Sequence, residues 1–548
     1  MEEFTERRPY NAVTDFVDAH IAAGRGGKIA FIDPDRSLTY GELHKRSIRF
    51  AHGLRALGLA RESRVALLLH DTVDYPVAFW GAIRAGNVVV PLNTYLNMQQ
   101  YAYMLGDSRA VALVVAAALA PTVWPILEQL PYLRTVILVG DSGNIPSSWP
   151  GLSHDEKMHR FEDIIVAANE TPFTADTLSD EVAFWLYTSG STGDPKGVRH
   201  VHTNLMATAR LFGQGVLRIT ENDVVHSAAK LFFAYGLGNA MTFPLSVGAT
   251  AALWPQRPSA GSVMEMLRRH RPTIFFGVPS LYTALLAHPA IGKGAGSDRL
   301  RVCVSAGEAL PAHIGERWRD MVGVDVLDGL GSTEMLQTFL SNSPGDVRYG
   351  STGKPVLGYE ARIVDEHGRE LPTGEIGELI VRGPSAGDGY WNQRAKSRRT
   401  FVGEWTHTGD KYRRDAEGYY YYCGRTDDMF KVSGMWVSPF DVEAALVSHE
   451  AVLEAAVIGK EDADGLIKPK AFIVLRNGYT ADDGLLEMLK LHVKQQAGSW
   501  KYPRWIELRE QLPRTATGKI QRFKLRDEDR AAQEILDRSR AGLSVPSP

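Results

Sequence analysis

The sequence predicts an α/β protein, with a large N-terminal domain of stacked, mostly parallel sheets and helices that carries a small β unit, and a smaller α+β domain at the C-terminus. Three observations predict it. Short apolar runs alternate with amphipathic stretches through the first half, the pattern of successive strand–helix–strand units. After about residue 345 the texture changes to paired strands around Gly/Pro turns. Beyond Asp427 it changes again, to a mixed helix and strand segment of about 120 residues.

In order, LTYGELHKRSIRFAHGLRALG (38–58) carries apolar residues at helical spacing, and RVALLLH (64–70) reads as a strand. YPVAFWGAIRAG (75–86) reads as a helix and NVVVPLN (87–93) as a strand. The alternation recurs at AVALVVA, TVILVG, ATAALW, PTIFFGV and LRVCVSAG. The apolar run 110–127 is long enough to suggest a membrane helix. Its β-branched first half and Pro121 and Pro125 predict a buried strand followed by a Pro-started helix instead. ARIVDEHGRELPTGEIGELIVRG (361–383) and GYYYYCGR (418–425) read as a small antiparallel β unit, about 345–426. The polar stretch 424–428 predicts the boundary between domains 1–426 and 427–548, and the tail from Asp527 reads as a fraying helix.

Composition narrows the function. The 61 Lys+Arg against 64 Asp+Glu give a net charge of −3 with both signs interspersed, which excludes the basic field of a nucleic-acid binder. Two cysteines, Cys303 and Cys423, exclude a disulfide scaffold or a four-cysteine zinc site and fit a reducing cytoplasm. The N-terminus MEEFTERRPY has no apolar signal segment. A cytoplasmic enzyme with small-molecule partners is expected, without nucleic-acid or membrane partners and with homodimer formation left open.

The most informative stretch is YTSGSTGDPKG (187–197), an apolar strand running into a Thr/Ser/Gly loop. Such a loop offers hydroxyls and backbone N–H groups to phosphate oxygens, with Lys196 adding a cation. It is not a Walker A loop, because Pro195 stands where G-x-x-x-x-G-K-S/T needs glycine. The stretch resembles the signature loop of the adenylate-forming superfamily of acyl- and aryl-CoA ligases, adenylation domains and luciferases. SAGEALP (305–311), DGLGSTE (328–334), THTGD (406–410), GRTDDMFKVSG (424–434) and LPRTATGKIQR (512–522) resemble its other motifs in the same order, over about residues 35–526. KLFFAYGLGNA (230–240) and GLGSTEML (329–336) are most similar to benzoate and hydroxybenzoate CoA ligases.

The resemblance implies ATP, Mg2+ and coenzyme A, an aromatic acid as substrate, and a C-terminal domain that moves between two half-reactions. Thr188, Ser189, Gly190, Ser191, Thr192 and Gly193 would wrap the β- and γ-phosphates, with Lys196 beside them. Thr333 would donate to the α-phosphate, and Glu334 would hold Mg2+, which favours carboxylate and phosphate oxygens. Ala306, Gly307, Glu308, Asp328 and Gly329 would lie along the adenine, while Asp410, with Arg425 nearby, would accept from the ribose hydroxyls. Lys519 would stabilise the charge that develops in adenylation. Asp427 would be the hinge and Lys431 would serve the thioester half. Gly434 would line the pantetheine tunnel, with Trp436, Lys501, Arg504 and Trp505 on the CoA side. Most other Lys and Arg of 498–526 read as a solvated basic face.

Ala234, Tyr235 and Gly236 would contact the aryl ring, with Ala306 and Gly331 as the floor. Leu330 stands where most of the superfamily has tyrosine, an aliphatic that benzoate ligases share. Gln337 and Thr338 replace the His-Ile expected of benzoate ligases, and that more polar rim points to a ring hydroxyl or amine. GPSAG (383–387) matches a nucleophile elbow but lacks the following helix. HVH (200–202) reads as strand or cap chemistry rather than a metal site. The rival readings are an enzyme that loads an aryl acid onto a separate carrier protein, and a non-catalytic nucleotide-binding pseudoenzyme.

Overall fold

Among the described residues, sixteen strands of the N-terminal part form two large sheets. A computed structural model of the chain describes every residue except 1–3, 5, 141–157, 189–193, 427, 433–434, 463–464, 515–519 and 541–548. In chain order the strands are β1 (Ile29–Ile32), β2 (Ser37–Thr39), β3 (Arg64–Leu68), β4 (Val88–Pro91), β5 (Ala112–Ala116), β6 (Thr135–Val139), β7 (Met158–Arg160), β8 (Val182–Thr188) and β9 (Lys196–Val201). They continue with β10 (Val224–Ser227), β11 (Thr250–Ala252), β12 (Ile274–Gly277), β13 (Val302–Ser305), β14 (Val326–Gly331), β15 (Thr338–Ser341) and β16 (Lys354–Pro355). One sheet has the order β7-β6-β5-β3-β4-β8-β9 and the other β16-β15-β14-β13-β12-β10-β11-β1-β2.

The inner pairs of both sheets are parallel, and antiparallel pairing is confined to ends such as β8–β9, β1–β2 and β14–β15. Parallel strands are covered on both faces, so their sequences are near-continuous apolar runs: β4, β5, β6, β12 and β13 are buried at every position. The first long helix, Tyr40–Ala56, starts at a capping box between Thr39 and Glu42. The helix Asp74–Arg84 is buried all round, as its apolar sequence requires.

The apolar run 110–127 forms β5, a single helical turn Ala120–Val123 and a 3₁₀ stretch Trp124–Gln129, with Pro121 and Pro125 at the starts of the last two. Among the described residues no helix is long and apolar enough to cross a membrane.

Next come β17 (Glu360–Val364), β18 (Gly377–Arg382), β19 (Phe401–Val402), β20 (Trp405–Arg414) and β21 (Tyr420–Arg425), a five-stranded sheet. The C-terminal segment carries a hairpin of β22 (Phe430–Val432) and β23 (Met435–Val437). It also has a three-stranded sheet, β24 (Val452–Glu461), β25 (Ile467–Leu475) and β26 (Trp505–Leu508), with helices Pro439–Val447 and Asp483–Ala497. The last helix is Arg522–Arg540, starting five residues before the expected tail. Arg522 explains the earlier start, since its guanidinium is drawn inward onto Glu443 and Asp428.

By compactness the chain divides into Met1–Ala361 with Ile380–His407, and Arg362–Leu379 with Thr408–Pro548. The polar stretch 424–428 therefore falls inside the second unit, where the β20–β21 ladder pairs Asp410 with Arg425 and Tyr412 with Tyr422.

Candidate active site

The segments singled out in the sequence leave the C-terminal ends of strands: the phosphate loop follows β8, 228–236 follows β10, Ala306–Glu308 follows β13 and Thr333–Glu334 follows β14. That edge of a parallel sheet is where open α/β folds bind ligands.

Thr188 and Lys196 are register partners across the β8–β9 hairpin. Ser189, Gly190, Ser191, Thr192 and Gly193 between them lie outside the described residues. The Lys196 ammonium sits 4.3 Å from the centre of the Tyr390 ring, a cation–π contact. The Tyr390 hydroxyl donates to Glu334 Oε1 at 2.7 Å. An ammonium, a phenol and a carboxylate thus stand in series beside the loop.

The turn bearing Thr333 and Glu334 is held through its backbone. Thr333 O accepts from His200 Nε2 at 2.8 Å and Glu334 O accepts from the Gly387 N–H at 2.8 Å. Burial pushes the His200 imidazole down to about 4, so the ring is neutral at pH 7. With Nε2 carrying the proton toward the carbonyl, Nδ1 accepts from the Asn204 amide at 3.1 Å. Asn204 also reaches the carbonyls of Ser385 and Ala386.

GPSAG is therefore a support for this turn and not a nucleophile elbow. The Ser385 hydroxyl is fully buried and donates to Met335 O at 2.8 Å. A Cβ on Gly387 would lie 2.7 Å from Val198 Cγ1 and 3.1 Å from Arg199 O, so only glycine allows the approach. Leu336 in the same turn takes a left-handed φ of +64°, strain that the surrounding bonds hold in place.

On the expected adenine side, Gly307 has a φ of +96° and Ala306 is buried. Asp328 is buried, and burial holds its carboxyl well above the usual carboxylate range. Its Oδ2 accepts weakly from the Leu310 N–H at 3.4 Å, while its Oδ1 has no partner among the described residues. A Cβ on Gly329 would lie 3.0 Å from Thr338 Cγ2.

The acid side corrects the expected polar rim. Gln337 and Thr338 are 3% and 1% exposed, and their polar atoms serve each other and the backbone. Gln337 Nε2 donates to Tyr235 O at 3.0 Å and Ala234 O at 3.3 Å. Its Oε1 accepts from the Thr338 N–H and hydroxyl at 3.0 and 2.9 Å. With both ends of the amide engaged, Gln337 braces the Ala234–Gly236 segment against β15. Tyr235 is similar, its hydroxyl donating to the carbonyls of Gly277 and Val304. Glycine makes the brace fit: a Cβ on Gly238 would lie 2.1 Å from Gln337 Nε2, and one on Gly331 2.8 Å from Gln337 O.

In the second unit Arg425 Nη1 donates to Asp410 Oδ1 at 2.8 Å. Lys431 is the register partner of Trp436 in the β22–β23 hairpin. Asp427, Gly434 and Lys519 lie outside the described residues. The expected solvated basic face is instead largely ion-paired: Arg509 meets Glu507 and Glu528, Arg514 meets Glu454, Arg522 meets Glu443, and Arg526 meets Asp428. Among the CoA candidates, Lys501 binds Asp441 at 2.5 Å, Arg504 lies over Tyr502, and the Trp505 ring receives Lys460. Most of the acids that neutralise this run, Asp428, Asp441, Glu443 and Glu454, sit far away in sequence, which is why its local charge sum misleads.

Residues 19–391 match the family model described as AMP-binding enzyme, and 441–519 match that of the AMP-binding enzyme C-terminal domain. The chain belongs to the AMP-binding enzyme family. Within it, the chain is 53% identical over 521 residues to the 4-hydroxybenzoate–CoA/benzoate–CoA ligase of Rhodopseudomonas palustris, covering 95% of this chain and 94% of the relative. It is 52% identical over 519 residues to the benzoate–CoA ligase of Thauera aromatica, covering 94% and 96%. A benzoate CoA ligase structure from Burkholderia xenovorans LB400 superposes with a TM-score of 0.86 at 48% identity, covering 94% of this chain and all of that one. In this family member the groups that sequence motifs alone missed are Tyr390, His200, Asn204, Ser385 and Gly387. The usable signals were the histidine following the signature loop by a few residues and the GPSAG turn without its helix.

Proposed function

We infer that this chain is an AMP-forming ligase that joins an aromatic carboxylic acid to coenzyme A through an acyl-adenylate. The observation that carries the reading is identity above one half, over nearly the full length, to two enzymes named for ligating benzoate or 4-hydroxybenzoate to CoA.

The residues suit the chemistry. Adenylation places negative charge on the α-phosphate and on the pyrophosphate that leaves, and cations and donors already in position lower its barrier. Thr188 to Gly193 with Lys196 are proposed to hold the leaving phosphates, and Thr333 to donate to the α-phosphate. Ala306 to Glu308, Asp328 and Gly329 are proposed to flank the adenine, and Asp410, held by Arg425, to accept from the ribose. Glu334 suits Mg2+: it is half-buried, and its Oε1 is steadied by a neutral phenol rather than by a competing cation. When bound, Mg2+ would supply charge neutralisation of the phosphates. Lys519 is assigned to adenylation and Lys431 to thioester formation. Asp427 is proposed as the hinge at the start of a mobile C-terminal domain, and Gly434, Trp436, Lys501, Arg504 and Trp505 as the CoA side. A cytoplasmic location is part of the same proposal.

Because Gln337 and Thr338 are spent internally, the ring is recognised by shape, and benzoate and hydroxybenzoates are both expected substrates. The test is AMP release with CoA across benzoate, hydroxybenzoates, aminobenzoates, cyclohexanecarboxylate and short fatty acids. The reading requires AMP and acyl-CoA in equal amounts with the aromatic acids. AMP formation that needs a carrier protein in place of free CoA, or none with any acid, would refute it.

A further inference from the structure

Two buried ionisable side chains outside the described chemistry, Asp71 and Lys230, engage the backbone around the turn that leads into the 234–236 segment. Asp71 follows β3 at the end of one sheet and Lys230 follows β10 at the end of the other; they are 3% and 4% exposed. Both oxygens of Asp71 accept from the Leu231 N–H at 3.3 Å. The Lys230 ammonium donates to the Trp254 carbonyl, just past β11. Each charge thus grips the backbone of another strand end. Lys230 O in turn accepts from the Phe233 N–H at 3.0 Å, and a Cβ on Gly236 would lie only 2.0 Å from it. Any shift of Lys230 is therefore passed directly to Gly236.

Both groups are out of water, and each spends its hydrogen bonds on a backbone group, Asp71 on the Leu231 N–H and Lys230 on the Trp254 carbonyl, so both hold the turn 230–233 in place. The arrangement has further polar features: the hydroxyls of Tyr75 and Tyr95 are buried without partners among the described residues. After burial itself, the Asp71 charge is what raises the pKa of both phenols, so both lie in its field.

We propose that Asp71 and Lys230 are positioning residues for acid binding, fixing the turn 230–233 and through it the placement of Ala234, Tyr235 and Gly236. This rests on the reading that those three residues contact the acid. The test uses the full-length enzyme with KM for benzoate, KM for ATP and thermal unfolding measured together. Replacing both by apolar residues, Asp71→Leu with Lys230→Met, strands the Leu231 N–H and the Trp254 carbonyl and should lower the unfolding midpoint. It should raise KM for benzoate by about 10- to 100-fold, as misplaced binding groups do, and leave KM for ATP unchanged.

A folded double variant with wild-type KM for benzoate would overturn the proposal. Should the double variant not fold, Asp71→Asn decides, because it keeps an acceptor for Leu231 while removing the charge. A raised benzoate KM there supports positioning, and an unchanged one overturns it. Ala234→Val separates the two levels. If it raises KM for benzoate and the Asp71 variants do not, only this inference falls. If it changes nothing, the acid-site reading falls and takes this inference with it.

Discussion

The two turns that follow β10 and β14 are built on opposite plans. At Thr333–Glu334 the backbone carbonyls are held by His200 and Gly387, and the Tyr390 hydroxyl donates to the Glu334 carboxylate. At Ala234–Gly236 the side chains of neighbouring residues do the holding, and Gln337, Thr338 and Tyr235 spend their polar atoms on one another and on carbonyls. The difference teaches that a polar side chain beside a candidate site need not offer its polar atoms to that site. On the proposed reading, charge would be recognised on the first side by groups kept available, and shape on the second by groups kept occupied.

Removing a group that acts only on developing charge should have the largest effect. Lys519→Ala should slow aryl-acid-dependent ATP–pyrophosphate exchange by about 100- to 1000-fold. The same variant should still turn a supplied aryl-adenylate and CoA into thioester at close to the wild-type rate, while Lys431→Ala should show the reverse. Equal damage to both halves by Lys519→Ala, in folded protein, would break the assignment of separate groups to separate steps.

His200→Phe sharpens the comparison from the other direction, since it removes only a support. The Thr333 turn loses a charge-free hydrogen bond, so exchange should fall by about 5- to 10-fold, the rate equivalent of roughly 1 kcal/mol. A loss as large as that for Lys519→Ala would mean that His200 itself touches the reacting groups. On the acid side, Gly238→Ala would drive a methyl into Gln337 Nε2 and should lower stability by about 1–3 kcal/mol in denaturant unfolding. An unaffected midpoint would mean that the Gln337 brace is slack.

A smaller, distributed effect concerns pH. Burial pushes His20, His200 and His226 down to about 4 and His202 to about 3. The unfolded chain takes up these protons near pH 6.5 and the folded chain does not, so stability falls as pH drops below about 6.5 toward 4. His70, His270 and His492 are lowered by burial as well, while Asp71, raised to about 6 by burial, Asp107 and Asp328 act in the opposite sense, three carboxyls against seven imidazoles among the described residues. The thermal midpoint should therefore decline on acidification across that window.

The strands were legible because parallel strands buried on both faces leave uninterrupted apolar runs such as VVVP and TVILV. The family was legible because glycines, hydroxyls and a lysine crowd into eleven residues, 187–197, a stretch that marks it. Tyr390 was not, because it meets Glu334 from far away in sequence with no local pattern to mark it, and the GPSAG turn marked Ser385 and Gly387 without showing that they meet the Thr333–Glu334 turn. Gln337 was legible as a polar residue but its burial and internal hydrogen bonds were not, since sequence displays a polar side chain without showing what already occupies it. Lys230 could have drawn notice as a lone charge at the head of the apolar run LFFAYG.

The most direct test of the two-plan account is one experiment on Gln337→Leu and Glu334→Gln, measuring the unfolding midpoint and the benzoate to 4-hydroxybenzoate ratio of kcat/KM. Gln337→Leu should be destabilised by about 1–3 kcal/mol, because it strands two carbonyls and the Thr338 donors, with the ratio between the two acids little changed. Glu334→Gln should unfold like the wild type and lose rate equally on both acids. A Gln337→Leu enzyme of wild-type stability that discriminates against 4-hydroxybenzoate would contradict the account, for it would place that amide on the substrate after all.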